Sequence, residues 1–573
     1  MLDLVVRGAT VVDGTGAPAR RADVGVHDGR IVAVGEVDDT GTTEIDADGL
    51  MVTPGFVDPH THYDAQLFWD PSASPSSVHG VTSVIGGNCG FTLAPLHAED
   101  ADYLRRMMAK VEGMPLAALE RGVKWDWESF GEYLDRLDGN IAVNAGFLVG
   151  HCALRRYVMG KEAVGREATD HELAAMVREL HTAIDDGGLG FSTTLSKTHS
   201  DGDGQPVASR WASEAEVLAL CGAVKDHEGT TLEAIIDGCL DQFGDDEIEL
   251  FAKMSAAGQR PLNWNVLTVD SRVPERVPRQ LSAGDRAAAL GGRVVALTMP
   301  VLVPMNMSFL NYCALFMLPG WGDVMNLPVG ERLARLRDPE TRGWMNARAN
   351  SDEAGVFRRL ADWKNYVLGD TYAPANEGLK GRTVKDLAVE RGTEPFDTLL
   401  DVVIADELRT ILWPIAPDGD AASWELRKSV WKDGRAMLGG SDAGAHLDRM
   451  CGAPYTTRFL GDMLRGRQLV GIEDAVRMIT SDPAQLFGLR DRGVVAPGAY
   501  ADLAVFDPTT IGAGPATLVA DLPGGSARLT SDAIGMEHVF VNGIEIVAAN
   551  ASNGATPGTI LRSGRDTETV STA

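Results

Sequence analysis

The chain has 573 residues, with 52 Lys and Arg against 81 Asp and Glu and a formal net charge of -29 at neutral pH. Such an acidic surface repels polyanions, which excludes nucleic acid and an anionic membrane as expected partners and leaves a small-molecule substrate. No apolar run reaches the roughly 18 residues of a membrane span, and the N-terminus lacks the basic, apolar, small-residue order of a secretion signal, so a cytoplasmic location is expected.

In chain order, the first elements are short strands, Leu4 to Val12, Ala22 to Val26 and Arg30 to Val34, separated by Gly and Asp turns. Apolar strand-like runs then alternate with helical stretches such as Glu172 to Leu180 and Glu214 to Val224, the pattern of βα units that close as a parallel sheet. Barrel strands are placed near 52–58, 81–87, 141–149, 188–194, 230–236, 261–267, 293–299 and 435–440. Strands return with Ala501 to Phe506 and His538 to Ile546, and chain ends that share a sheet pack as one accessory domain. The residues after Asn550, rich in Ser, Thr, Gly and Asp, read as a flexible tail. The 6 cysteines, at 89, 152, 221, 239, 313 and 451, form neither a disulfide framework nor a zinc-knuckle spacing.

The most informative motif is Pro54-Gly-Phe-Val-Asp-Pro-His60-Thr-His62. Side chains two apart on an extended segment point the same way, so both imidazoles can converge on one ion. Asp442 follows the turn Gly439-Gly-Ser441 after an apolar strand; it reads either as a strand-end ligand and base or as a helix N-cap. Cys89, in Gly86-Gly-Asn-Cys-Gly90, is either a sulfur ligand at the rim or a buried thiol.

These motifs, with Val81 to Pro95, Leu148-Val-Gly-His151-Cys-Ala-Leu-Arg155, Leu333 to Asp338, Gly440-Ser-Asp442 and Ala496 to Phe506, resemble the amidohydrolase superfamily and, within it, the D-aminoacylase (N-acyl-D-amino-acid deacylase) group. The resemblance implies an α/β fold, a TIM-like (β/α)8 barrel over 54–488 with insertions. A small β-sandwich would form from 1–53 and 489–550, with 551–573 as the tail. It implies a Zn2+ enzyme that cleaves an amide of an N-acyl-D-amino acid, with His60, His62, Cys89 and Asp442 as metal ligands and Asp442 as the proton carrier. One ion is expected, with two left open, as is a homo-oligomer.

The chain also departs from that group. Relatives place metal-binding histidines on barrel strands five and six, where this sequence has Glu233-Ala234 and Asn263-Trp264-Asn265. Glu233 is therefore read as a replacement ligand, a second proton carrier or a structural carboxylate. His151 either orients substrate or water, or is a satisfied core histidine. Lys197, His199, Arg449 and Arg458 are candidates to meet an anionic substrate. Two other readings stand beside the deacylase: a cyclic-amide or lactone hydrolase, and a degenerate barrel that binds a ligand without turnover.

Overall fold

The computed structural model describes residues 1–572. It forms two compact units, one of residues 1–301 with 420 onward and one of Leu302–Gly419.

The first unit carries eight parallel strands that follow one another in sequence. They are β1 (Phe56–Asp58), β2 (Val81–Gly86), β3 (Asn144–Phe147, continued by Val149–Gly150), β4 (Gly190–Thr194), β5 (Thr231–Ile235), β6 (Pro261–Trp264), β7 (Arg293–Thr298) and β8 (Ala436–Leu438). Each pairs with the next, and the last returns to the first through a parallel bridge between Thr61 and Ala443. Strands such as Val-Thr-Ser-Val-Ile-Gly of β2 are buried at every residue, as parallel strands covered on both faces must be. Val57, Ile85, Leu148, Leu189 and Val295 share one core cluster with Ala484, Leu486, Phe487 and Leu561.

The chain ends build one nine-stranded sheet in the same unit, joining Leu2–Val11, Arg20–His27, Arg30–Gly35, Gly41–Asp46 and Met51–Pro54 to Leu503–Phe506, Met536–Val541, Ile544–Ala548 and Ala551–Ser552. The expected first barrel strand is thus two strands. Met51–Pro54 pairs antiparallel with Leu503–Phe506, and only Phe56–Asp58 joins the ring. Gly55 is the joint, because a Cβ there would lie 2.2 Å from the Thr82 side chain. The unit Leu302–Gly419, which the sequence reading folded into the barrel segment, has its own core around Trp321, Trp363 and Phe396. Among the described residues, no helix is long and apolar enough to cross a membrane.

The flexible tail is a correction. Ile560–Leu561 pairs in parallel with Ala145 and Gly146 of β3, Thr567 bridges Leu489, and the Thr567 hydroxyl donates to the Gly229 carbonyl at 2.6 Å. The polar composition misleads because the anchoring apolar signal is only two residues long, and both are fully buried. Leu561→Ala is expected to cost about 2–5 kcal/mol, read as a lowered thermal midpoint; an unchanged midpoint would return this segment to a passive tail.

A second pin is His79, in the turn before β2. Its Nε2 lies 2.9 Å from the Ser531 carbonyl and its Nδ1 2.7 Å from the Thr457 hydroxyl. Burial, only partly opposed by the Ser531 bond, lowers its pKa to about 4. Between about 6.5 and 4 the unfolded chain takes up a proton that the folded one refuses, so stability falls as pH drops through this window. In His79→Gln the acid-side fall in unfolding midpoint should be shallower than in the parent; equal slopes would remove His79 from the account.

Candidate metal centre

The candidate groups meet at the C-terminal ends of the parallel strands, where catalytic groups of such folds gather. His60 and His62 follow β1, and the backbone there is locked to the segment after β8: His62 N–H donates to the Ala443 carbonyl at 2.7 Å and Asp442 N–H to the His60 carbonyl at 3.3 Å. The closing bridge of the ring thereby sets both imidazoles against Asp442. Gly440 permits the approach, since its φ is +89° and a Cβ would lie 2.3 Å from Asn265 Oδ1.

Cys89 sits on a loop after β2 that four hydrogen bonds hold, two to the segment after β1 and one each to β4 and β5. Gly87 N–H donates to Asp64 Oδ1 at 3.1 Å, Asn88 Nδ2 to the Thr61 carbonyl at 3.1 Å, Cys89 N–H to Glu233 Oε2 at 2.7 Å and Gly90 N–H to Ser192 Oγ at 3.0 Å. Cys89 and Asp442 both have φ of 54°, a backbone region costing a non-glycine residue roughly 1–3 kcal/mol. The anchors hold the thiol in that conformation.

Donor atoms face one another at short range. His60 Nε2 is 3.5 Å from Cys89 Sγ and 3.3 Å from Asp442 Oδ1, while His62 Nε2 is 3.8 Å from Asp442 Oδ1 and 3.5 Å from Glu112 Oε2. The ligand atoms of His60, His62 and Cys89 all lie within 4.8 Å of one another. Ligands about 2.0–2.3 Å from a tetrahedral ion stand about 3.3–3.7 Å apart. His60, His62 and Cys89 therefore form a set spaced for a divalent cation, and Asp442 stands against both imidazoles of that set.

Local charge divides their roles. Burial would raise the pKa of Asp442, but the His60 bond and the charges of His60 and His62 outweigh it and hold the carboxylate at about 2. Its side chain keeps 24% of its surface against none for His60, so Asp442 is the ionised group that looks outward. His62 is lowered to about 3 by burial and by the charge of His60, leaving a neutral ring able to donate a lone pair. Burial, then Glu233, Glu112 and Asp442, push the Cys89 thiol well up. A cation is what would favour the thiolate.

Glu233 is fully buried within β5, in register with Ser192 and Asn263. One oxygen takes the Cys89 N–H; the other lies 3.9 Å from His60 Nδ1, and neither of these two atoms has a hydrogen-bond partner. Burial lifts its pKa to about 7, with His60 pulling the other way. This geometry sets Glu233 behind His60 and Cys89 as a support, the position from which a carboxylate steadies a ligand imidazole.

His151 stands elsewhere. It is fully buried at the start of the helix His151–Met159, with Nδ1 2.8 Å from Thr193 Oγ1 and Nε2 2.9 Å from Glu216 Oε1. Both nitrogens are engaged and Arg155 also pairs with Glu216, so the catalytic reading of His151 gives way to that of a core histidine. Lys197 pairs with Asp237 at 2.8 Å, Arg449 with Asp448 at 3.1 Å, and Arg458 donates to the Gly514 carbonyl at 3.1 Å. His199, held by Thr194 at 2.8 Å, does belong near the centre, because its charge and that of His446 act on His62.

Three neighbours escaped the sequence reading. Asn265 donates to Asp442 Oδ1 at 3.0 Å, His446 follows Asp442 by four residues, and Glu112 stands at the C-terminal cap of α1 (Ala101–Val111). An acid at that end of a helix opposes the dipole, which was the available signal for Glu112.

The amidohydrolase family profile matches residues 43–547. The chain belongs to the amidohydrolase family. This amidohydrolase is 29% identical over 565 residues to the D-aminoacylase of Alcaligenes xylosoxydans xylosoxydans, spanning 98% of this chain and 97% of that protein. To the N-acyl-D-glutamate deacylase of the same organism it is 28% identical over 578 residues, spanning 98% and 96%. A solved D-aminoacylase, described by a binuclear metal center with one-metal activation and second-metal attenuation, matches with a TM-score of 0.64 at 26% identity, covering 98% of this chain and all of that one.

Glu233→Gln is expected to leave the fold intact and to weaken metal binding by about tenfold, measured by calorimetric titration with Zn2+. Parent affinity together with parent activity would demote Glu233 to packing.

Proposed function

We propose that this amidohydrolase is a metal-dependent deacylase that hydrolyses the amide of an N-acyl-D-amino acid, using one Zn2+ ion held by His60, His62, Cys89 and Asp442. The observation that carries the reading is the mutual spacing of His60, His62 and Cys89, which suits the ligands of one ion, with Asp442 3.3 and 3.8 Å from the two imidazoles. The names of the full-length relatives support the substrate class. The parallel ring is read with them as a TIM-like (β/α)8 barrel, and the terminal sheet as the accessory domain beside it.

One ion follows from the donors that cluster: His60, His62 and Cys89 share one set, with Asp442 against both imidazoles. On β5 and β6, Glu233 Oε2 takes the Cys89 N–H and Asn263 Nδ2 donates to the Leu232 carbonyl, while Glu233 Oε1 and Asn263 Oδ1 are buried without a hydrogen-bond partner.

When bound, the ion acidifies a water to a pKa near 7 and polarises the amide carbonyl. The chain's own residues do the rest. Asp442 Oδ1 accepts from the Asn265 amide and faces the imidazoles, so Oδ2 is the oxygen assigned to the reaction. It accepts the water proton as the oxygen attacks the carbonyl carbon, then delivers it to the amide nitrogen as the C–N bond breaks. The products are a carboxylate and a free amine, and Asp442 returns to its ionised form. Glu233 holds the Cys89 loop still, through the Cys89 N–H, while charge moves.

The degenerate-barrel alternative has to explain two strained ligand backbones and a loop with four anchors kept for no ion. The cyclic-amide alternative shares all of this machinery and differs only in the pocket.

The test pairs a variant with a substrate panel. His60→Ala should fold, lose stoichiometric Zn2+ and fall by at least about a thousandfold in hydrolysis of N-acyl-D-amino acids by the parent, with the N-acyl-L series turned over poorly. A fully active His60→Ala sinks the metal reading; a zinc-loaded parent inert on both series sinks the deacylase reading.

A further inference from the structure

Glu112 is a carboxylate that the proposed chemistry does not use, and its setting is unusual. It is 3% exposed, and its position is fixed from the backbone, since the Glu112 carbonyl accepts the His446 N–H. The segment that carries it ends α1 and turns at Gly113, where φ is +59° and a Cβ would press on His446 at 3.2 Å. The side chain is thereby delivered to the metal face of His62, with Oε2 3.5 Å from Nε2.

Charge makes the placement informative. Among the described residues, the ion pairs of Glu112, Glu233 and Asp442 are all to the imidazoles of His60 and His62, with no Lys or Arg among them. A buried carboxylate normally pairs with a cationic side chain or a metal. Burial pushes the Glu112 and Glu233 carboxyls up, so an oxygen that keeps its charge here needs something positive beside it. Separation settles which carboxylates can meet it directly: Asp442 and Glu112 approach Nε2 of the imidazoles, whereas Glu233 approaches Nδ1 of His60.

We propose that Glu112 is a further direct ligand of the same divalent ion, an oxygen donor from the α1 loop that offsets the ligands absent from β5 and β6. This rests on the metal reading above. Glu112 Oε2 stands 3.5 Å from His62 Nε2, as Cys89 Sγ does from His60 Nε2, the separation of neighbouring ligands about one ion. An added carboxylate shifts the site towards harder ions, so Mn2+ and Co2+ should compete with Zn2+ better than at an all-nitrogen and sulfur site.

The experiment uses full-length protein stripped of metal, with Zn2+ and Co2+ as the probes. In Glu112→Gln, Zn2+ affinity by calorimetry should fall at least about tenfold, and the visible Co2+ bands should shift because a ligand has changed. The metal-free thermal midpoint should hold or rise, since one buried carboxyl without a Lys or Arg partner has gone, while the rise on adding Zn2+ shrinks. Glu112→Asp, which keeps the oxygen donor on a shorter arm, should fall between the two. Parent affinity and parent Co2+ bands in Glu112→Gln overturn the proposal. A lowered metal-free midpoint with unchanged affinity also overturns it, by making Glu112 a structural carboxylate. If the parent itself binds neither ion, the metal reading fails first, which separates the two failures.

Discussion

The structure depends on one electrostatic constraint: three carboxylates and a thiol gathered around two imidazoles at the end of a parallel ring, nearly closed to water. Removing one ionised group from water costs several kcal/mol even after relaxation. Such a group persists only where hydrogen bonds or an opposite charge repay the loss. Here the protein supplies part of the repayment itself, through the Cys89 N–H to Glu233 and the Asn265 amide to Asp442. Burial pushes the Glu112 and Glu233 carboxyls up, and His60, His62 and Cys89 are spaced as a set that could hold an ion.

The ring converts this constraint into geometry. In a parallel sheet, partnered residues on neighbouring strands present their side chains to the same side. Ser192, Glu233 and Asn263 therefore form a row, and the loop of Cys89 lies over the first two of them. The ring closes through backbone bonds that also hold His60, His62 and Asp442. Closure and ligand placement are one event, so a slip of β8 against β1 would unmake the site before it unmade the core.

Much of this was legible in the sequence. His60-x-His62 after an apolar run, Cys89 in a glycine-rich turn and Asp442 behind Gly439-Gly440 carry a local pattern, and the strands that deliver them are marked by apolar runs. The ends of those strands were less legible, because Pro54-Gly55-Phe56 joins two strands of different sheets without a break in hydrophobicity. The tail was missed because its anchors are two residues in a polar stretch. Glu112 was missed for a different reason: it belongs to the site through the path of a loop, and no periodicity encodes which imidazole a loop carboxylate will face. His151 was over-read because its motif matches, whereas its partners Thr193 and Glu216 come from segments 42 and 65 residues away.

Strands β5 and β6 present a carboxylate and an amide, each tied to backbone through one atom, Glu233 Oε2 to the Cys89 N–H and Asn263 Nδ2 to the Leu232 carbonyl, and each keeping one buried oxygen without a hydrogen-bond partner. Of the three carboxylates about the imidazoles, Asp442 is the one with appreciable exposure. His199 and His446 stand near it, where neutral rings can hydrogen-bond an amide or acyl oxygen without competing with Asp442 for its proton. Both are lowered from the ordinary imidazole pKa, chiefly by burial. In the proposed hydrolysis, the exposed carboxylate is the one placed to take the proton of the attacking water and return it to the amine.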